Sequence, residues 1–245
     1  MNDAKKYVKK RAVKHSLNLF LKVIEYVMFC YKKLELDNKQ GLIYYSRKYC
    51  KKTTSFKFED FLKREFVNNY LQHQNFKKLF KHREIKAIDF QYETEKDYVF
   101  ENIIRSDKID IFVSNIGLQS YWKEFNREDI YFVFECKILK NNSNNKNYIG
   151  DIQKFVERKY KFRFPFEGMI GFIENKSVGI LKIIEDINNK LQKSKTIITK
   201  KELYKLELVS YFDYLYISQH IKNDTLYNNI EIYHLFFDYS NIIID

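Results

Sequence analysis

Tyr131-Phe-Val-Phe-Glu135-Cys-Lys137-Ile-Leu139 is an apolar run interrupted by only two charged side chains. Side chains alternate faces along a strand, so Glu135 and Lys137 share one face with Val133 and Leu139. Phe132, Phe134, Cys136 and Ile138 take the other face. A carboxylate and an ammonium in mid-strand are costly to bury unless they are paired or bind a metal. The run Lys108-Ile-Asp110-Ile-Phe-Val113 repeats this arrangement upstream. If the two strands pair, Asp110 and Glu135 converge. Two convergent carboxylates make a hard oxygen site suited to magnesium or manganese. A nearby lysine can orient a water and offset phosphate charge. Asp110, Glu135 and Lys137 together supply what phosphodiester hydrolysis needs. The spacing alone is weak, because Glu-x-Lys also occurs at Glu84, Glu157 and Glu174. Only Glu135–Lys137 lies in a long apolar strand with an embedded aspartate upstream. An ion pair at a sheet edge would explain the same residues without chemistry.

Working outward, residues 5–35 carry Leu17, Phe20, Leu21, Ile24, Val27, Met28 and Tyr31 at three- and four-residue spacing, which predicts a helix with one apolar face. Residues 37–54 read as an irregular polar joint. A helix is expected from Ser55 to Gln72, and strands at Ile85–Tyr92, Lys108–Ile116 and Ile130–Leu139. The polar segment Leu118–Asp129 links the last two. Asn141–Asn147 reads as a loop, Tyr148–Tyr160 as a helix and Gly168–Ile173 as a buried strand. Ser177 opens a helix to about Gln192, and strands at Leu206–Ile217 and Asn229–Asp238 end the chain. This order predicts an α/β (α+β) fold, a mixed central sheet flanked by helices.

Among 245 residues, 45% are apolar, one is proline and six are glycine, which excludes disordered and collagen-like classes. The net charge of +12 is uneven: residues 1–53 hold 14 Lys/Arg against 4 Asp/Glu, and the remainder 30 against 28. Lys5, Lys6, Lys9, Lys10, Arg11 and Lys14 crowd the start. Concentrated positive charge suits a phosphate backbone, and equally a solvated helix at a subunit contact. Three cysteines without a CxxC pair, and no secretory signal, lead us to expect a reducing, cytoplasmic location. The apolar stretch Leu17–Tyr31 is too short and too charged to span a membrane. The five histidines lack zinc-ligand spacing, and His234, alternating with Ile232 and Phe236, reads as a hydrogen-bonded core residue. There is no phosphate-binding GxxxxGK[ST] loop and no GxSxG elbow.

Asp110, then Glu135-x-Lys137 on the next strand, then a helix, resembles the PD-(D/E)xK, restriction-endonuclease-like nuclease superfamily over about residues 55–240. Ile109 stands where the superfamily's name has proline. The blocks Tyr148-Ile-Gly-Asp-Ile-Gln-Lys-Phe-Val-Glu-Arg-Lys-Tyr160 and Gly168-Met-Ile-Gly-Phe-Ile173 resemble a subgroup of bacterial phage-defence and restriction-type proteins. Ile217-Ser-Gln-His220 and His234-Leu-Phe-Phe-Asp238 resemble it more weakly. The resemblance implies a nuclease domain over 55–245 behind a basic helical extension over 1–54. It also implies a magnesium- or manganese-dependent enzyme that cuts DNA as a defence effector. An RNA nuclease or a non-catalytic nucleic-acid-binding or assembly subunit is the alternative. The superfamily often adds a glutamate from the helix before the first strand. Glu65, on the expected core-facing stripe, is the first choice and Glu59 the second. Gln153 on the helix after the Lys137 strand is a further candidate. Lys154, Arg158, Lys159, Lys161 and Arg163 offer a basic edge for phosphates. A second copy or an ATP-driven sensor subunit is expected as partner, because the chain has no motor of its own.

Overall fold

The computed structural model describes residues 2–100, 103–122, 125–126, 129–140, 144–158, 164–176, 179–222 and 227–244. Helix α1 (Asn2–Lys39) has neither glycine nor proline. At 1.5 Å per residue it is about 57 Å long. It ends at Gly41, whose φ of +73° is open to glycine without steric cost. There Gly41 N–H donates to Asn38 O and Leu42 N–H to Asp37 O, which closes the last turn. Ala12, Ser16, Leu19, Phe20, Val23, Ile24, Val27, Tyr31 and Leu34 form its buried stripe. Phe20 packs at 5.0–5.6 Å between ring centres against Phe132, Phe134, Phe166 and Tyr233 of the sheet. The long helix is therefore a wall of the main core and not an appendage packed elsewhere.

The expected joint at 37–54 holds a short strand, β1 (Tyr45–Ser46), and a helix, α2 (Arg47–Thr53), capped by the Ser46 hydroxyl. The next helix is α3 (Phe58–Phe66), which runs into a π-turn over Val67–Leu71. A short helix, α4 (Gln74–Leu79), and a 3₁₀ turn at Arg83–Ala87 lead into the sheet. The main sheet contains β2 (Ile88–Phe100), β3 (Ile103–Asn115), β4 (Tyr131–Leu139), β5 (Phe166–Ile173), β6 (Thr199–Lys205), β7 (Leu215–Ile221) and β8 (Asn229–Asp238). A four-residue helix, α5 (Ile116–Gln119), follows β3, and β9 (Ile243–Ile244) pairs with β1. Helices α6 (Asn144–Glu157) and α7 (Ile180–Lys193) flank β5 in sequence. The spatial order is β2-β3-β4-β5-β8-β7-β6. Strands β2, β3 and β4 form an antiparallel meander; β4, β5 and β8 are parallel; β8, β7 and β6 are antiparallel again. The fold is mixed α+β, with the sheet between α1 and α3 on one side and α6 and α7 on the other. No helix of the described residues is long and apolar enough to cross a membrane.

Beyond the helix inside the expected joint, the strand expected at Ile85–Tyr92 starts at Ile88 and runs to Phe100, and three further expectations need correcting. The strand expected at Leu206–Ile217 is a turn followed by β7, and an additional strand, β6, precedes it. The hairpin between them has no glycine or proline, so its apolar residues looked like one strand. The helix expected to open at Ser177 starts at Ile180 behind Gly179, and Ser177 lies outside the described residues. Helix α6 starts at Asn144, inside the expected loop.

Candidate active site

Strand β3 pairs with β4 only from Ile111↔Phe134 to Ser114↔Tyr131. Past Ile111 the two strands separate. That leaves the backbone N–H groups of Cys136 and Ile138 on β4 without strand partners, and buried N–H groups need acceptors. Two carboxylates fill the gap. Asp110 Oδ2 accepts from Cys136 N at 2.7 Å, and Glu59 Oε2 accepts from Ile138 N at 3.0 Å. The β2–β3 register is continuous through this point, from Tyr92↔Ile111 to Thr94↔Ile109, but Glu93 between them has φ +53°, a left-handed value strained for a glutamate. Alternation breaks there: Ile109 and Phe112 both join the core on the α6–α7 side.

Asp110 lies beside Glu135, as the sequence predicts. Both are buried, at 7% and 6% exposure, and the two carboxylates lie close enough to act on one another. Burial, then Asp110 and Asp151, push Glu135 well above the usual carboxylate range. Glu135 therefore holds a proton more readily than an exposed glutamate would. Lys137 shares its face, is the one part-exposed residue of β4, and contacts Glu59 Oε1 at 3.0 Å and Asp151 Oδ2 at 3.3 Å. Burial disfavours its charge, but Asp151, Glu59 and Asp110 outweigh burial and hold the ammonium above the ordinary lysine range.

Three groups that the sequence reading did not choose complete the cluster. Glu59, the second choice, is the helix carboxylate that reaches β4. Lys63, one turn later on α3, is buried and bonds Asp110 Oδ1 and Asp60 Oδ1, each at 2.6 Å. Asp151 on α6 is 2% exposed and bonds Lys154 Nζ through Oδ1 at 2.6 Å. Asp151 had a legible signal: Tyr148, Asp151, Ile152 and Phe155 fall on one buried helical stripe.

Glu65 does not join them. Its carboxylate accepts from Asn69 at 2.8 Å, and it faces Tyr45 and Tyr70. The buried arc of α3 centres on Leu62, Lys63 and Phe66, which leaves Glu65 at its margin. Gln153 also turns away, donating to Glu157 Oε1 at 2.6 Å. Lys154 lies at the rim of the cluster. Arg158 is ion-paired with Asp107 on β3. Lys159, Lys161 and Arg163 lie outside the described residues.

His234 is the hydrogen-bonded core residue expected. On the far side of α6, Thr199, His220, Ser218, His234 and Tyr148 form a continuous chain with contacts of 2.8–3.1 Å. Burial lowers His220 to about 4, and burial and then His220 lower His234 further, so both rings stay neutral near pH 7. The chain anchors Tyr148, one turn before Asp151 on α6.

Among the described residues, no group of three or more His, Cys, Asp or Glu side chains could hold a metal ion. The nearest approach is the Asp110–Glu135 pair. Its two carboxylates are hard oxygen donors, a chemistry that suits a divalent cation. Comparison of the chain with protein-family models, with curated proteins and with solved structures finds no match.

Proposed function

We infer that the chain is a metal-dependent nuclease of the PD-(D/E)xK, restriction-endonuclease-like kind that hydrolyses DNA phosphodiester bonds. The observation that carries this reading is the buried Asp110–Glu135 pair with Lys137 beside it, at the point where β3 parts from β4. The antiparallel β2-β3-β4 meander, the α6 crossover and the parallel β5 are consistent with it. Asp110 and Glu135 would hold a magnesium or manganese ion, which when bound would supply positive charge to a phosphoryl oxygen and a more acidic water.

Lys137 stays protonated, so it serves as a fixed cation and not as a general base. Held between Glu59 and Asp151, it orients a water and opposes charge developing on the phosphate. Lys154 adds a second cation at the rim. A role in bacterial phage defence is supported by the sequence resemblance alone. The rival is a non-catalytic nucleic-acid-binding or assembly subunit. One observation favours it: Lys63, Lys137, Lys154 and two backbone N–H groups already pair with the carboxylates of Asp110, Glu59 and Asp151. Incubation of the full chain with plasmid DNA, linear DNA and RNA, with magnesium and with EDTA, separates these readings. Magnesium-dependent cleavage of DNA is expected. Cleavage of RNA alone would make it a ribonuclease, and no cleavage of any substrate would favour the subunit reading.

A further inference from the structure

Resting on that reading, we propose that Lys63 is a latch on the site, a tethered cation that competes with a divalent ion for Asp110. A carboxylate as buried as Asp110 needs a compensating charge. Lys63 supplies it. Its ammonium bonds Asp110 Oδ1 at 2.6 Å, and the other oxygen, Oδ2, accepts from Cys136 N at 2.7 Å. Both oxygens of this ligand are thus engaged by the protein's own donors. Lys63 reaches Asp110 from α3, on the side of the sheet where Leu62 and Phe66 pack with Cys136. Glu135 shares its face with Val133 and Leu139, on the α6 side. An ion shared by Asp110 and Glu135 therefore draws Asp110 away from Lys63.

Two cations on one buried carboxylate repel each other. A divalent ion on Asp110 removes the need for the ammonium and opposes its staying. The ammonium has a second seat. Asp60, three residues earlier on the same helix, already bonds it at 2.6 Å. The Asp60 side chain is 25% exposed, against 10% for Asp110. Released by Asp110, Lys63 keeps this partner and meets solvent, and its flexible four-carbon stem allows the swing. The penalty for an unpaired buried charge is avoided, because the ammonium is never left alone. The latch thus sets the metal affinity of the site by competition: the ammonium and the divalent ion exclude each other from Asp110.

The test is calorimetric titration of the full chain with manganese. Lys63→Met should bind it at least about tenfold more tightly than wild type, the gain from a charged hydrogen bond that no longer has to be broken. Equal or weaker binding in a folded Lys63→Met protein would overturn the latch. A second measurement uses the wild-type chain and stands even if that variant fails to fold. Lysines are acetylated by a small reagent, with and without magnesium, and mapped by mass spectrometry. Lys63, 3% exposed, should react slowly without magnesium and severalfold faster with it, while the exposed Lys10 and Lys14 react alike in both. A Lys63 that stays shielded in magnesium would overturn the latch even where Lys63→Met binds manganese more tightly, because it would be a fixed neighbour that merely repels the ion. Neither readout uses cleavage, so the two readings fail separately. A chain that cuts DNA through Asp110 and keeps Lys63 shielded defeats the latch alone, whereas one that exposes Lys63 in magnesium and cuts nothing defeats the nuclease reading alone.

Discussion

Replacing Lys63 by methionine probes the way the cluster is built. The Lys63 side chain is 4% exposed and bonds Asp110 Oδ1 and Asp60 Oδ1, each at 2.6 Å. Burial opposes its charge, but Asp110 and Asp60 raise its proton affinity above that of an ordinary lysine. Methionine keeps the length and apolar stem of the side chain and removes the charge. Asp110 would keep the Cys136 N–H but lose the cation facing it. Removing one partner from a buried ion pair costs about 3–5 kcal/mol. For a domain of this size that lowers the melting temperature by roughly 10 °C. Urea denaturation of wild type, Lys63→Met, Asp110→Asn and the double variant closes a thermodynamic cycle. The double variant should recover at least about 1.5 kcal/mol relative to the sum of the singles. A Lys63→Met cost under about 1 kcal/mol, or additivity within about 0.5 kcal/mol, would refute the proposed pairing of Lys63 with Asp110.

Further outcomes follow from the same geometry. Glu135 binds its proton more tightly than a free glutamate, so manganese must displace that proton, and its affinity should rise with pH by up to tenfold per unit; a pH-independent affinity in calorimetry would contradict this. Lys137→Ala should still bind manganese while losing cleavage, because the ammonium is not a ligand; loss of metal binding in that variant alone would overturn its assigned role. His220 falls from 6.5 to about 4 on folding, so its contribution is complete above pH 6.5 and is lost as pH drops toward 4, on the order of 3 kcal/mol in all. Glu135 opposes this, since its raised proton affinity makes the folded state relatively more stable in acid. The measurement therefore belongs in a Glu135→Gln background, where stability unchanged between pH 7 and pH 5 would count against a neutral buried His220.

The sequence made the centre of the site legible because burial and charge collide there. Asp110, Glu135 and Lys137 stand in runs that are otherwise apolar, and alternation alone placed Glu135 and Lys137 on one face. The rest depended on how the strands diverge. Glu59 matters because Ile138 N–H has no strand partner, and Lys63 because Asp110 turns toward α3 at the point where Glu93 takes a left-handed φ. Neither condition can be read from periodicity along a single segment. Glu65 was favoured for lying on the stripe through Leu62, but the structure centres the buried arc on the adjacent residues, including Lys63. Asp151 was within reach of the same stripe reasoning, which was spent instead on Gln153. The basic character of residues 1–53 was plain, yet the burial of α1 against Phe132, Phe134 and Phe166 shows that composition does not mark a packing boundary. At the other edge, β6 was missed because its exposed lysines, Lys200 and Lys201, hide the strand pattern.

The most direct measurement is the rate at which purified wild-type, Asp110→Ala, Glu135→Ala and Lys137→Ala proteins cut labelled DNA in magnesium. The wild-type chain should cut, EDTA should stop it, and each substitution should abolish cutting while circular dichroism still reports a folded protein. Cutting by all three variants at the wild-type rate would show that the chemistry lies elsewhere or is not this protein's own.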